Sequence, residues 1–181
     1  MAELLTLGHG RLDGDRMRVL LSGARVERVV DIRRFPGSRA NPAAARDALA
    51  PVLAEAGIGC RWEERLGGRR RLSAADDAAS PDGWWRVAAF RAYAAWARTE
   101  QFRAGLADVL AEADEARVAI LCSEAVWWRC HRRVVADVAV LERGVDVRHL
   151  MHDGSLVLHP VSEGAVLGPD GVAWPAAGPE R

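Results

Sequence analysis

Apolar positions along this chain alternate between short continuous runs and longer stretches with helical spacing. Leu4-Leu5-Thr6-Leu7, stopped by Gly8, predicts a strand, and Asp15 then opens a short helix through Met17, Val19, Leu20 and Leu21. The β-branched run Val26 to Ile32 predicts a second strand that ends in a Pro/Gly/Ser/Asn loop, Arg33 to Pro42. Ala48 to Ala56 reads as a helix closed by Gly57, with Pro51 placed in its first turn, where a missing N–H breaks no bond. Ile58 to Trp62 predicts a third strand, leading into Leu66-Gly67-Gly68 and an arginine run. Ser73 to Gly83 is small and polar, which predicts a weakly ordered loop. Trp84 to about Ala116 reads as two helices meeting near Thr99, a good N-cap. Val118 to Leu121 is the most apolar strand, followed by a loop from Ser123 to Trp128, a helix opened by Cys130 and running to Glu142, and a strand Val145 to Leu150.

Strands that alternate with helices imply parallel neighbours, because only a crossover can return the chain to the same edge. The fold class expected is therefore α/β: a three-layer, doubly wound, mostly parallel sheet with helices on both faces, Rossmann-like. One domain is expected over residues 1–162. The Gly- and Pro-rich residues 163–181 lack periodicity and are expected to form an extended or disordered tail.

Composition narrows the chemistry. The 25 basic residues balance the 25 acidic ones, and every basic residue is arginine, so Schiff-base and P-loop lysine chemistry are excluded. No run reaches the ~18 consecutive apolar residues of a membrane span, and Met1 to Leu5 lacks the charged-then-apolar order of a secretion signal. A cytoplasmic protein with no membrane partner is expected. The odd count of 3 cysteines, with Cys60 far from Cys122 and Cys130, argues for reduced thiols rather than a disulfide framework.

In an open α/β sheet, ligands bind beyond the carboxyl ends of the strands. The predicted strands deliver reactive or charged residues to that edge: Gly8-His9-Gly10, then Asp31 and Arg33, then Cys122 and Glu124, then His149. The opposite ends carry Glu3, Glu27, Arg117 and Asp146, ordinary surface residues.

The segments Thr6-Leu7-Gly8-His9, Asp31 to Arg39, Leu66-Gly67-Gly68, Leu121-Cys122-Ser123-Glu124 with Cys130-His131-Arg132, and Val147 to Leu150 resemble the bacterial family called domain of unknown function 488. The resemblance runs in order from about residue 4 to about residue 160. It implies a fold and a set of motifs rather than a named reaction.

Cys122 at a strand end and Cys130 at a helix start are both placed to become thiolates, against the plain alternative that each is core packing. Cys60 is read as core. His9 and His131 are candidate general bases, and Glu124 a candidate acid or base whose alternative is an ion pair with Arg129, Arg132 or Arg133. Arg33, Arg39 and Arg132 are expected to grip an anion bidentately, with Ser38 adding a donor and Trp128 stacking on a ring. Late histidines, His149, His152 and His159, are expected to be structural.

No cofactor is predicted. A metal is disfavoured because the gap between Cys122 and Cys130 is longer than common zinc spacings and adjacent Cys130 and His131 should diverge on a helix. The resulting expectation is an enzyme, a Cys/His-dependent hydrolase or transferase, acting on a small anionic, phosphate-bearing or nucleotide-like ligand. The alternatives are a nucleic-acid-binding module that uses Arg61 to Arg71, and a metal-binding protein built on the Cys/His cluster.

Overall fold

The computed structural model describes residues 3–177. Six strands form the main sheet: β1 (Glu3–Gly8), β2 (Arg28–Asp31), β3 (Gly59–Trp62), β4 (Val118–Cys122), β5 (Asp146–Leu150) and β6 (Leu156–Leu158). Their order is β3-β2-β4-β1-β5-β6; the first five are parallel, and β6 runs antiparallel along β5. The helices are α1 (Gly14–Gly23), α2 (Arg46–Glu55), α3 (Ala74–Ala78), α4 (Ala88–Ala97), α5 (Glu100–Glu115) and α6 (Arg132–Arg143).

Successive strand residues point to opposite faces, so each strand feeds two cores. Leu5, Leu7, Val29, Ala119 and Leu121 pack on Met17 and Leu21 of α1 and Leu49 and Leu53 of α2. Leu4, Val30, Ile120 and Cys122 pack on Tyr93 of α4, Phe102 and Leu106 of α5, and Val134 and Val135 of α6. The result is the expected three-layer, Rossmann-like α/β arrangement.

Local chemistry sets the helix ends. The Asp13 carboxylate accepts from Arg16 N–H at 2.8 Å and starts α1, Thr99 caps α5 through Phe102 N–H, and Gly144, at φ 65°, takes the left-handed turn that ends α6. Three expectations change. The helix α2 begins at Arg46, so Pro51 lies two residues deeper than predicted, past the first turn; it and Asp47, whose carbonyl it leaves free, are both exposed, and water can serve that carbonyl. Residues 73–83 are tied down rather than loose. Ser73 caps α3, Asp77 holds Arg91 through two bonds of 2.7 and 2.8 Å, and fully buried Asp82 holds Arg98 and accepts from Trp174 N–H.

The tail also differs from its reading as an extended or disordered end. Strands β7 (Val166–Gly168) and β8 (Gly171–Ala173) pair antiparallel, and Trp174 is fully buried, its indole N–H donating to Asp137 at 2.9 Å. Periodicity is blind to such an anchor: one buried indole can remove ~150–250 Å² from water without any repeating pattern. The rest of that predicted tail, 178–181, lies outside the described residues. Among the described residues no helix is long and apolar enough to cross a membrane.

Candidate functional site

The carboxyl ends of β1 to β4 open on a cavity of about 670 Å³, walled on one side by α4. Eight residues proposed from sequence border it: His9, Arg33, Ser38, Arg39, Cys122, Glu124, Cys130 and His131. Arg132 and Trp128 do not.

Arg132 is the first residue of α6 and only 1% exposed. Its guanidinium donates to Glu124 O at 2.5 Å, to Thr6 Oγ1 at 3.2 Å and to Cys130 Sγ at 3.4 Å. It is a buried clamp that ties the loop after β4 to β1, not a free anion ligand. Gly8 allows this closure, since a Cβ there would fall 1.8 Å from Glu124 O and 2.5 Å from the Arg132 guanidinium. Trp128 is 47% exposed away from the cavity, while its neighbour Trp127 stacks flat on His149 at 4.3 Å.

Cys122 comes from the end of β4, and Cys130 and His131 from the turn before α6. Their donor atoms lie within 4.8 Å of one another; His131 Nδ1 is 3.7 Å from Cys122 Sγ and 3.8 Å from Cys130 Sγ. The expected divergence of Cys130 and His131 does not occur. Cys130 is extended (φ −115°, ψ 149°) and the helix starts only at Arg132, so the two side chains converge. Burial alone opposes ionisation of Cys130, but the Cys122 S–H donated to it, His131 and the Arg132 charge outweigh this and hold that thiol well below its ordinary range. The same hydrogen bond, burial and the adjacent sulfur push Cys122 well above its own. The pair therefore shares one proton, held on Cys122 rather than on Cys130.

His9 Nδ1–H donates to Gly10 O at 2.9 Å, which leaves its Nε2 lone pair facing Arg33 Nη1 at 3.2 Å. Burial lowers the His9 pKa, and the Arg33 and Arg132 charges add to the effect, so the ring is neutral at pH 7 with its basic nitrogen engaged. Arg33 is itself locked: Asp31 accepts from its Nη2 at 2.5 Å, its Nε at 2.9 Å and its backbone N–H at 3.0 Å. Arg33 orients His9 more than it offers charge to a ligand. Ser38 Oγ accepts from Asn41 N–H at 2.9 Å and shapes the rim loop. Glu124 is exposed, forms no ion pair among the described residues, and faces only Val126 N–H at 3.4 Å, so the ion-pair alternative raised for it is not formed.

Several cavity residues were not among the site residues proposed from sequence. Arg129, Arg34 and Arg69 border the cavity with Arg33 and Arg39, giving five arginines against one carboxylate, Glu124. Arg34, Arg39, Arg69 and Arg129 form no ion pair among the described residues. Tyr93, the chain's only tyrosine, lies edge-on to His131 at 4.8 Å, and its hydroxyl donates to Leu66 O at 2.6 Å. Gly68 comes so close to His131 that a Cβ would sit 2.9 Å from its Nδ1. The other arginine run, Arg61 to Arg71, is partly neutralised: Arg61 pairs with Glu63 and Glu112, Arg65 with Glu63 and Asp108, and Arg70 lies 3.7 Å over the Trp96 ring.

Behind the cavity runs a closed buried chain. The Asp137 carboxylate can only accept, so His159 donates to it at 2.8 Å; His149 then donates to His159 at 2.9 Å, Thr6 O–H donates to His149 at 2.7 Å, and Arg132 donates to Thr6. Every polarity follows from the acid at one end and the guanidinium at the other. His152 stands apart and donates to Gly8 O at 2.7 Å.

The family model described as "Domain of unknown function DUF488" matches residues 15–139, more than half of the chain. The chain belongs to the DUF488 family. The matched range contains Arg33, Ser38, Arg39, Cys122, Glu124, Cys130, His131 and Arg132 of the site, and leaves His9 and His149 outside. Comparisons with curated proteins and with solved structures found no match.

Proposed function

We propose that this DUF488 protein is an enzyme that binds an anionic, phosphate-bearing or nucleotide-like substrate in the arginine-lined cavity and transforms it with the Cys122–Cys130–His131 group. The observation that carries this reading is the charge imbalance of the cavity: unpaired guanidinium groups at its rim, one carboxylate, and two cysteines and a histidine in its wall. Guanidinium binds phosphate and carboxylate through paired, charge-assisted hydrogen bonds. The volume falls within the ~300–1,000 Å³ of small-ligand sites. Arg39 and Arg129 are exposed and reach the rim from two different loops, which suits them to grip an anion together. Glu124, exposed at the cavity wall, is the acid–base group free to meet a substrate, while His9, with Nδ1–H on Gly10 O and Nε2 capped by Arg33, shapes the floor.

Calorimetric titration at low ionic strength with inorganic phosphate and with a nucleoside diphosphate tests the reading. Binding should weaken at least tenfold in the Arg39→Ala/Arg129→Ala double variant, which corresponds to about 1.4 kcal/mol. Absence of binding, or equal affinity in the double variant, would refute it. A nucleic-acid surface along Arg61 to Arg71 is the competing reading, and the pairing of Arg61 and Arg65 with acidic neighbours weighs against it. Oligonucleotide affinity that falls steeply with added salt would favour that alternative.

A further inference from the structure

We propose that Cys122 Sγ, Cys130 Sγ and His131 Nδ1 form a binding site for one zinc-class divalent cation, with its fourth coordination position open to the cavity. Zinc lies ~2.3 Å from sulfur and ~2.0–2.1 Å from imidazole nitrogen, so the S···N edge of a tetrahedral site is about 3.6 Å. The two edges here are 3.7 and 3.8 Å, and all three donor atoms fall within 4.8 Å. The two S···N edges thus match those of a tetrahedral site to within a few tenths of an ångström.

The second observation is an imidazole without a proper partner. His131 Nε2 is buried and makes no hydrogen bond, and Nδ1 meets only the two sulfurs at long range. Buried polar atoms are nearly always satisfied, so a ring poorly served at both nitrogens calls for an explanation. A cation at Nδ1 supplies the missing partner there. Gly68 keeps the approach open, because any side chain at that position would crowd Nδ1.

The donor set identifies the class of ion. Two thiolates and an imidazole favour zinc and other soft or borderline d-block cations over magnesium or calcium. Three protein ligands that all border a cavity match the pattern of a site with an open position rather than a closed structural one. Arg132, fixed by Thr6 and the Glu124 carbonyl, donates to Cys130 Sγ and would orient that ligand from outside the coordination sphere. Two thiolates neutralise a divalent charge, so the loaded site leaves the rim arginines free to attract an anion. Cys60 takes no part, lying beside the core on the opposite face of the sheet.

This inference deepens the proposed function by assigning its Cys/His dependence to a bound cation, and it rests on that reading only for the use to which the ion is put. The full chain, prepared without a histidine tag and stripped with a chelator, is titrated with Co²⁺ alone. One equivalent should produce thiolate-to-cobalt charge-transfer absorption together with the intense d–d bands of a tetrahedral site, and Zn²⁺ should abolish both. Cys60→Ser should leave the spectrum intact, whereas Cys130→Ser should cut the charge-transfer band to roughly half or weaken binding at least a hundredfold. Should Cys130→Ser fail to fold by circular dichroism, Cys122→Ser serves in its place. A folded, stripped protein that gives no thiolate band with cobalt overturns the proposal, as does a band that keeps its full intensity and affinity in both cysteine variants. Cobalt binding without phosphate binding would sink the anion reading and leave the metal site standing; the reverse outcome would do the opposite.

Discussion

Two polar assemblies share the carboxyl edge of this sheet, and they differ in how completely their hydrogen bonds are satisfied. In the chain from Asp137 through His159, His149 and Thr6 to Arg132, each donor meets an acceptor between 2.7 and 3.2 Å, and Trp174 and Ser162 fill the remaining capacity of the Asp137 carboxylate. In the Cys122–Cys130–His131 group, a few ångströms along the same Arg132 clamp, the contacts are long and one buried nitrogen has no partner. The first arrangement is finished without a ligand. The second has donor capacity left over and borders a cavity, and unspent polar capacity beside open space is what a binding site requires.

The comparison breaks first at Asp137. Asp137→Ala removes the acceptor of three buried donors, His159, Ser162 N–H and the Trp174 indole, and should cost about 3–5 kcal/mol in urea unfolding. A loss under ~1 kcal/mol would show that the network holds nothing together. Trp174→Ala, which empties a fully buried site and frees the β7–β8 hairpin, should cost about 3–5 kcal/mol by the same measurement.

A smaller effect follows from His149. Burial first, then the neighbouring His159 and the Arg132 charge, lower its pKa to about 3, against a weaker opposing pull from Cys130. The unfolded chain takes up the proton near the ordinary value of ~6.5 and the folded chain does not, so stability is complete above ~6.5 and declines as pH falls toward 3. The decline should amount to a few kcal/mol, measured as the pH dependence of urea midpoints, and should flatten in His149→Asn. An equally steep curve in that variant would place the titration elsewhere. Least of all should the open site matter to folding: Arg39→Ala and Arg129→Ala remove exposed, unpaired side chains and should each change stability by less than ~0.5 kcal/mol. A larger loss in either would mean that the rim is structural, and the contrast between the two assemblies would collapse.

Much of the fold was legible because it repeats. Leu4 to Leu7, Val26 to Ile32 and Val118 to Leu121 announce strands through apolar runs, and Thr99 marks the break between α4 and α5 through its cap. Eight of the ten proposed site residues border one cavity because strand ends in a parallel sheet share an edge. What was missed is local and unrepeated. Trp174 anchors a tail that looked shapeless, Asp82 secures a segment that looked mobile, and Tyr93 reaches the site from a helix face with nothing in its spacing to distinguish it. Arg132 and Arg129 are close neighbours of one residue type; only the direction in which α6 begins makes the first a buried clamp and the second a rim charge.

The order of residues alone determined the alternation of strands and helices, the absence of lysine chemistry, and the edge at which reactive groups gather, since those depend on periodicity, composition and chain direction. Tertiary structure decided which groups are spent and which are free. Asp31 occupies Arg33, Thr6 and the Glu124 carbonyl occupy Arg132, and Cys130 and His131 converge on Cys122 although adjacent residues of a helix would diverge. Hydrogen-bond satisfaction and coordination geometry are properties of distance in space, and spacing along the chain carries them only when a single element brings all the partners together.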